Sequence, residues 1–292
     1  MKGMAADITS TRMLPGAPVR DAILSNLQAR IAATGSPRIA LATVLVGDDA
    51  PSQKYVASKH RIAQQIGIQS VQVELPADCT QAQLESEVAR LSADVSVHGI
   101  LVQMPLPSHL DAERVLALIP AVKDVDGLTS ESMGRLMRGL DGHVGCTPLG
   151  VLRLLQHYGI ATAGKLAVVV GRSTLVGLPL SVLLARKGID CTVTLAHSRT
   201  SNLADVCRSA DILISATGVA RSIAAEHVAV GATLIDVGIS RTEAGIVGDI
   251  DADAVMGIAG ALTPMPGGTG IMTVACLMEN TVNAAVMQGI AL

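Results

Sequence analysis

Apolar and polar positions alternate in blocks along this chain, and the blocks change period as they go. The run "IALATVLVG" (39–47) is apolar throughout and predicts a buried strand. "SQKYVASKHRIAQQIG" (52–67) follows with helical spacing and ends on glycine. "QSVQVELP" (69–76) alternates with period two and reads as a strand. "TQAQLESEVARLSAD" (80–94) has a threonine start and helical spacing. "HGILVQMPLP" (98–107) predicts a strand running into a proline-bounded turn, and "DAERVLALIP" (111–120) a short helix. This β-α-β-α-β-α order implies a parallel sheet covered on both faces.

A second series starts near 148. The helix "PLGVLRLLQHYG" leads to the strand "KLAVVVG", a glycine-bearing loop, and a helix reaching Lys187. Strand "CTVTLAH" (191–197), helix "SNLADVCRSA" (201–210), and strands "DILISATG" (211–218) and "ATLIDVG" (232–238) come next. The run "MTVACLMENTVNAAVMQG" (272–289) reads as a long helix that could pack back on the first domain. A domain boundary is expected at 146–150, with the first dozen residues loosely held.

Composition narrows the classes. Of 292 residues, 49% are hydrophobic and 16% charged, which suits a globular protein with a substantial core. The net charge of −3 and the absence of any Lys/Arg block argue against a nucleic-acid or anionic-membrane surface. The longest apolar run, "IALATVLV" (39–46), has eight residues, where a membrane span needs about twenty. The start, "MKGMAADITSTRM", lacks the apolar region of a secretory signal. Cys79, Cys146, Cys191, Cys207 and Cys276 are scattered without a C-x-x-C pair, which suits reduced thiols in the cytosol. There is no Trp or Phe and there are only two Tyr, so each tyrosine is a residue to examine.

"VVVGRSTLVG" (168–177) has the order of parts of a dinucleotide-binding turn: strand, glycine loop, helix start. Gly171 permits the tight turn and Gly177 the close approach of helix to sheet. Arg172 and Ser173 occupy the turn itself. An NAD site usually carries an acid at the end of the next strand, for the ribose 2′-hydroxyl. Here that position reads His197-Ser198-Arg199-Thr200, with no acid. Arg172 and Ser198 suit a 2′-phosphate, so NADP is the expected cofactor. An arginine on the surface of an unrelated loop is the alternative.

In the first series, Tyr55 and Lys59 stand four apart on one helix face. A tyrosine ring stacks on flat heterocycles, and a buried lysine exchanges protons. The same spacing also fits an ordinary solvated face. Gln103 ends an apolar strand, where parallel sheets bind ligands, or else caps a loop. Asp126 precedes a glycine and either meets an amino-pyrimidinone edge or makes an Asp-Gly turn. "TPMPGGTGIMT" (263–273) could bring bare backbone to a ligand. "DIDAD" (249–253) starts like a calcium loop but lacks its glycine and distal glutamate, and the histidines have no ligand spacing. No metal is expected.

Taken in order, "YVASK", "GILVQMPLP", "KDVDGLT", "CTPLGV", "VVVGRSTLVGLP", "HSRT", "DVGI" and "TPMPGGTGIMTVACLMENT" resemble the bifunctional methylenetetrahydrofolate dehydrogenase/methenyltetrahydrofolate cyclohydrolase family along nearly the whole chain. The resemblance implies two α/β domains with a cleft between them. The first (1–147, completed by helix 272–292) would bind folate, and the second (148–271) would be a Rossmann-type NADP domain. It implies a homodimer acting on tetrahydrofolate derivatives. It implies Lys59 as acid/base, Gln103 as its partner, Tyr55 stacking on folate and Asp126 on the pterin edge. Val102, Met104, Pro266, Gly267, Gly268 and Gly270 would line the folate site. Gly171, Arg172, Ser173, Gly177, Ser198 and Ile239 would hold the cofactor. Thr269 and Ile271 depart from the family's usual Val and Pro, which is expected to alter the pocket. A monofunctional dehydrogenase, a shikimate-dehydrogenase-like enzyme and a non-catalytic NADP-binding protein are the competing readings. Lys59 and Gln103 speak against the first and last, and the sparse glycines of the turn against the second.

Overall fold

The computed structural model describes residues 10–243 and 245–292. In chain order the elements are β1 (Arg12–Met13), α1 (Gly16–Ala33), β2 (Ala40–Val46), α2 (Ala50–Gln65), β3 (Gln69–Leu75), α3 (Gln81–Ala93), β4 (Gly99–Val102), α4 (Ala112–Leu116), α5 (Ser130–Met137) and α6 (Cys146–His157). They continue with β5 (Leu166–Val170), α7 (Gly177–Ala185), β6 (Thr192–Ala196), α8 (Leu203–Arg208), β7 (Ile212–Ser215), β8 (Thr233–Asp236), β9 (Ser240–Thr242), β10 (Gly245–Val247), α9 (Ala252–Val255), β11 (Ala261–Leu262) and α10 (Met272–Met287).

The chain divides into two compact units. One comprises residues 21–146 and 274–292; the other comprises 147–273 and the N-terminal segment up to residue 20. The sequence reading assigned 1–147 to the first domain, whereas residues 10–20 group with the second unit. The reason is β1, which pairs in parallel with β11 at Arg12↔Ala261 and Met13↔Leu262. The first nine residues lie outside the described residues. The last three of the dozen expected to be loosely held are described. Thr11 donates its hydroxyl to the Ala259 carbonyl (2.8 Å), and Arg12 is in the sheet.

The first unit holds a parallel sheet in the order β3-β2-β4. Central β2 is buried at every residue, as its unbroken apolar run requires, while edge β3 is half exposed. Its helices start at side-chain caps: Asp49, Thr80 with Gln83 in a capping box, Asp111 and Thr129. Ala42, Val44, Ile100 and Val102 of the sheet pack on Leu84 and Val88 of α3.

The second unit holds a six-stranded parallel sheet, β1-β11-β8-β7-β5-β6. The order reverses at β5, which has β6 on one side and β7 on the other; ligands bind at such a switch point. The largely exposed hairpin β9–β10 stands apart from this sheet. By length and composition alone, residues 269–287 are apolar enough to cross a membrane, but most of that stretch is buried inside the protein. The sequence reading saw no such span because Glu279 and Asn280 interrupt the apolar run.

Candidate active site

In the first unit the chemistry gathers where α2 faces the end of β4. Asp49 starts α2 by accepting hydrogen bonds from the Ser52 amide (2.9 Å) and hydroxyl (2.7 Å). The helix buries Val56 and Ala63 completely. Lys59, three residues after Val56, lies on that inner face and is only 7% exposed, whereas Tyr55 is 45% exposed. Lys59 Nζ donates to Gln103 Oε1 at 2.8 Å.

Gln103 follows β4 directly. Its backbone N–H donates to the Val44 carbonyl (2.8 Å), and its side-chain Nε2 to the Met104 carbonyl (2.6 Å). These partners settle the amide's orientation. Reversed, it would set NH₂ against the lysine nitrogen and oxygen against a carbonyl. The strand expected over 98–107 thus ends at Val102, and the bend after it turns Gln103 inward.

The segment Lys123–Gly127 supplies the third group. Lys123, buried, donates to the Ser92 (2.9 Å) and Asp94 (2.7 Å) carbonyls at the end of α3. Asp124 accepts from the Thr129 (2.8 Å) and Leu128 (3.2 Å) amides. The Ile100 amide donates to the Lys123 carbonyl (2.8 Å), tying the segment to β4. Gly127 has φ 67°, and a Cβ there would sit 2.5 Å from the Gly145 nitrogen. Asp126 is held between these anchors.

Burial governs the electrostatics. It pushes the Lys59 ammonium down from its ordinary pKa, opposed chiefly by the charge of Asp126. It pushes the Asp126 carboxyl up, opposed by Lys59. Cys146, whose thiol donates to the Val125 carbonyl (3.4 Å), is pushed well above the usual thiol range by burial and then by Asp126. It is therefore a neutral thiol rather than a nucleophile. Two residues of this site escaped the sequence reading: Cys146, and Asn280 on α10, whose Nδ2 reaches the Val125 carbonyl (2.8 Å). The signal for Asn280 is a carboxamide inside an apolar helical stripe.

In the second unit, β5 runs into Gly171, which has φ 121°. A Cβ on Gly171 would lie 2.2 Å from the Ala216 oxygen, and one on Gly177 1.9 Å from the Gly171 oxygen. Only glycines let the turn and the start of α7 close this tightly. No side chain caps α7 at Val176. Arg172 and Ser173 are exposed, and the Ser173 hydroxyl accepts the Val176 amide (3.2 Å). Val170 pairs with Ala196, so Arg172 and Ser198 each lie two residues beyond adjacent strand ends. Ser198 is exposed in a turn closed by Thr200, whose amide donates to the His197 carbonyl (2.8 Å).

Two buried carboxylates shape the ends of β7 and β8. Asp236 accepts from the Gly238 (3.0 Å), Asp249 (3.0 Å) and Ile250 (2.9 Å) amides, and burial raises its pKa to about 6. Asp249 Oδ2 accepts from Ser215 Oγ (3.1 Å) and the Thr217 (2.6 Å) and Gly218 (3.2 Å) amides. Ile239, next along, is exposed. The 263–273 loop is fixed from two sides. The Gly16 amide donates to the Gly267 carbonyl (2.8 Å), and the buried Thr269 hydroxyl to the Asp236 carbonyl (2.7 Å). Pro266 is exposed on it, Gly268 is buried, and Gly270 lies beside Ile239.

The structure thus joins Lys59, Gln103 and Asp126 in one unit, and Gly171 with Gly177 and Ile239 with Gly270 in the other. It does not join Val102 to any of them: that side chain packs in the sheet core, with Met104 at its edge. Among the described residues no group of three or more His, Cys, Asp or Glu is placed to hold a metal ion. In "DIDAD", Asp249 holds loops and Asp251 caps α9.

Comparison with known proteins places both units in one family. Residues 14–126 match the tetrahydrofolate dehydrogenase/cyclohydrolase catalytic domain, and residues 145–289 its NAD(P)-binding domain. A bifunctional protein FolD of Methanoculleus marisnigri is 49% identical over 278 residues, covering 94% of this chain and 97% of that protein. The crystal structure of the Campylobacter jejuni bifunctional enzyme FolD superposes with a TM-score of 0.92 at 40% identity, covering 95% of this chain and 99% of that one. The Trypanosoma brucei dehydrogenase-cyclohydrolase, complexed with NADP and an inhibitor, gives 0.89 at 36% identity, with 97% and 99% covered. Matched in both units and along nearly its whole length, this chain belongs to the tetrahydrofolate dehydrogenase/cyclohydrolase family.

Proposed function

We propose that this enzyme oxidises 5,10-methylenetetrahydrofolate with NADP and hydrolyses the resulting 5,10-methenyl compound to 10-formyltetrahydrofolate. The observation that carries the second activity is the buried Lys59, bonded to a fixed Gln103 and facing the charge of Asp126.

The second unit fits a 2′-phosphorylated dinucleotide. Gly171 and Gly177 let the turn close tightly at the start of α7, whose uncapped N-terminus favours negative charge. Arg172 and Ser198, beyond neighbouring strand ends, would hold the 2′-phosphate, and Ser173 the turn side of the cofactor. Ile239 would lie at the nicotinamide end. When bound, NADP accepts the hydride leaving the carbon between N5 and N10.

The first unit would bind folate. The exposed ring of Tyr55 offers a stacking face. Asp126 accepts hydrogen bonds from the pterin edge. Hydrolysis requires proton transfers. Neutral Lys59 takes a proton from the water attacking the methenyl carbon. It then delivers that proton to N5 as the carbon–N5 bond breaks. The water oxygen becomes the formyl oxygen, and its second proton is released. Gln103 keeps Nζ pointed at this water. Burial favours the neutral amine the first transfer needs.

Family resemblance supports a homodimer, which light scattering would register as twice the single-chain mass. The buried, scattered cysteines support a reducing, cytoplasmic location. The test of the central assignment is Lys59→Ala. Hydrolysis should fall about 10²–10⁴-fold, the usual share of general acid–base catalysis, with NADP affinity unchanged. Equal loss of NADP binding, or hydrolysis at the original rate, would overturn it.

A further inference from the structure

Asn280 is 3% exposed, on the face of α10 turned to the loops that carry Asp126 and Cys146. Its Nδ2 donates twice, to the Val125 carbonyl (2.8 Å) and to the Val144 carbonyl (2.9 Å). Val125 immediately precedes Asp126. Val144 stands two residues before Cys146, whose sulfur lies 3.9 Å from the same nitrogen. The Val125 carbonyl is also the acceptor for the Cys146 thiol. One carboxamide therefore closes a knot between two loop segments. One segment carries Asp126, whose charge acts on Lys59, and the other the buried Cys146 thiol.

The chemistry demands asparagine. Both donors of a primary amide are used, each on a separate buried carbonyl. An apolar residue of the same shape would take the amide donor from both, leaving the Val125 carbonyl only the weak Cys146 thiol, and the two loops would shift to find new donors. The neighbouring Gly127 cannot take up the change in place, because it is seated against the Gly145 and Val144 backbone. The Asp126 carboxylate would move with its chain.

We propose that Asn280 is a positioning residue for the hydrolytic step, holding Asp126 in its place opposite the Lys59 amine. The proposal rests on the reading of Lys59 as the acid/base. The charged or titratable groups acting on Lys59 are Asp126 and Cys146, and His60 beside it on α2 is influenced in turn. Asp126 favours the ammonium form. Its displacement therefore lowers the pH at which Lys59 gives up its proton.

The experiment compares Asn280→Leu and Asn280→Ser with Lys59→Met, using methenyltetrahydrofolate as substrate across a pH series. NADP affinity and the thermal melt are measured on the same preparations. In Asn280→Leu, kcat for hydrolysis should fall about 10- to 100-fold, the scale for a reacting group out of place by about an ångström. The acid limb of the profile should move to lower pH, with NADP affinity unchanged. Asn280→Ser, which keeps one donor, should fall between and serves if the leucine variant does not fold. A folded variant with the original limb and rate overturns the proposal, as does a loss of hydrolysis matched by loss of NADP binding. Hydrolysis surviving in Lys59→Met would instead overturn the reading of Lys59 on which it rests.

Discussion

Gln103→Glu places a carboxylate where a neutral amide oxygen meets Lys59 Nζ at 2.8 Å. A unit charge at that distance, at an effective dielectric of about 20, interacts by about 6 kcal/mol, or roughly four pKa units. Gln103 is only partly buried, so solvent and relaxation reduce this; about two units is a reasonable floor. The sign is fixed: a carboxylate favours the ammonium, so the Lys59 pKa rises. Below the limb, each unit costs tenfold in neutral amine. Hydrolysis near neutrality should therefore fall about 10²–10⁴-fold and recover as pH rises. The substitution also loses the Nε2 bond to the Met104 carbonyl, about 1–3 kcal/mol of stability visible in a denaturant titration. The assay follows decay of the methenyl absorbance, corrected for spontaneous hydrolysis, at each pH. An acid limb that stays in place, or moves to lower pH, would refute Lys59 as the base.

The other predictions concern the second unit. Arg172→Ala should weaken NADP by about 10- to 100-fold, the worth of a charge-assisted hydrogen bond, and leave NAD nearly unchanged; an unaltered NADP/NAD ratio in a fluorescence titration would show that Arg172 does not read the 2′-phosphate. Thr269→Val keeps the shape but removes the bond to the Asp236 carbonyl (2.7 Å), and should cost about 1–2 kcal/mol by urea unfolding. Asp236, at about 6 against an ordinary 3.8, binds its proton more tightly folded than unfolded. Its contribution to stability is therefore most favourable below pH ~4 and falls by about 3 kcal/mol as pH rises to ~6. Relative to Asp236→Asn, the native protein should lose stability across that window, and parallel pH curves would contradict this.

Much of the fold was legible because buried parallel strands are written as unbroken apolar runs. β2 and β5 fall where "IALATVLVG" and "KLAVVVG" stand. Helix α1 was passed over: Gly16 and Pro18 make its start look like a loop, although Val19, Ile23, Leu27 and Ile31 recur every four residues. β1 and β11 are two residues each and pair across the length of the chain, and β9 and β10 are three residues each, too short to show a period. At the site, Lys59 and Gln103 stood out by motif, but their 2.8 Å contact follows from burying one face of α2 against the end of β4. Asp249 is weighed in the sequence only as the start of "DIDAD", and Asp236 not at all, because an acid's position does not reveal which amides it will accept. Of the two tyrosines, Tyr158 proves to be an anchor, its hydroxyl donating to the Pro15 carbonyl (2.6 Å), while Tyr55 stays available to a ligand.

The most direct measurement is a coupled spectroscopic assay of the purified protein with methylenetetrahydrofolate and NADP. NADPH formation and the methenyl species are followed together. The account predicts that NADPH accumulates while the methenyl species is consumed faster than it decays unaided. NADPH formation with the methenyl species persisting at its spontaneous rate would contradict the role given to Lys59, and no NADPH at all would contradict the dehydrogenase itself.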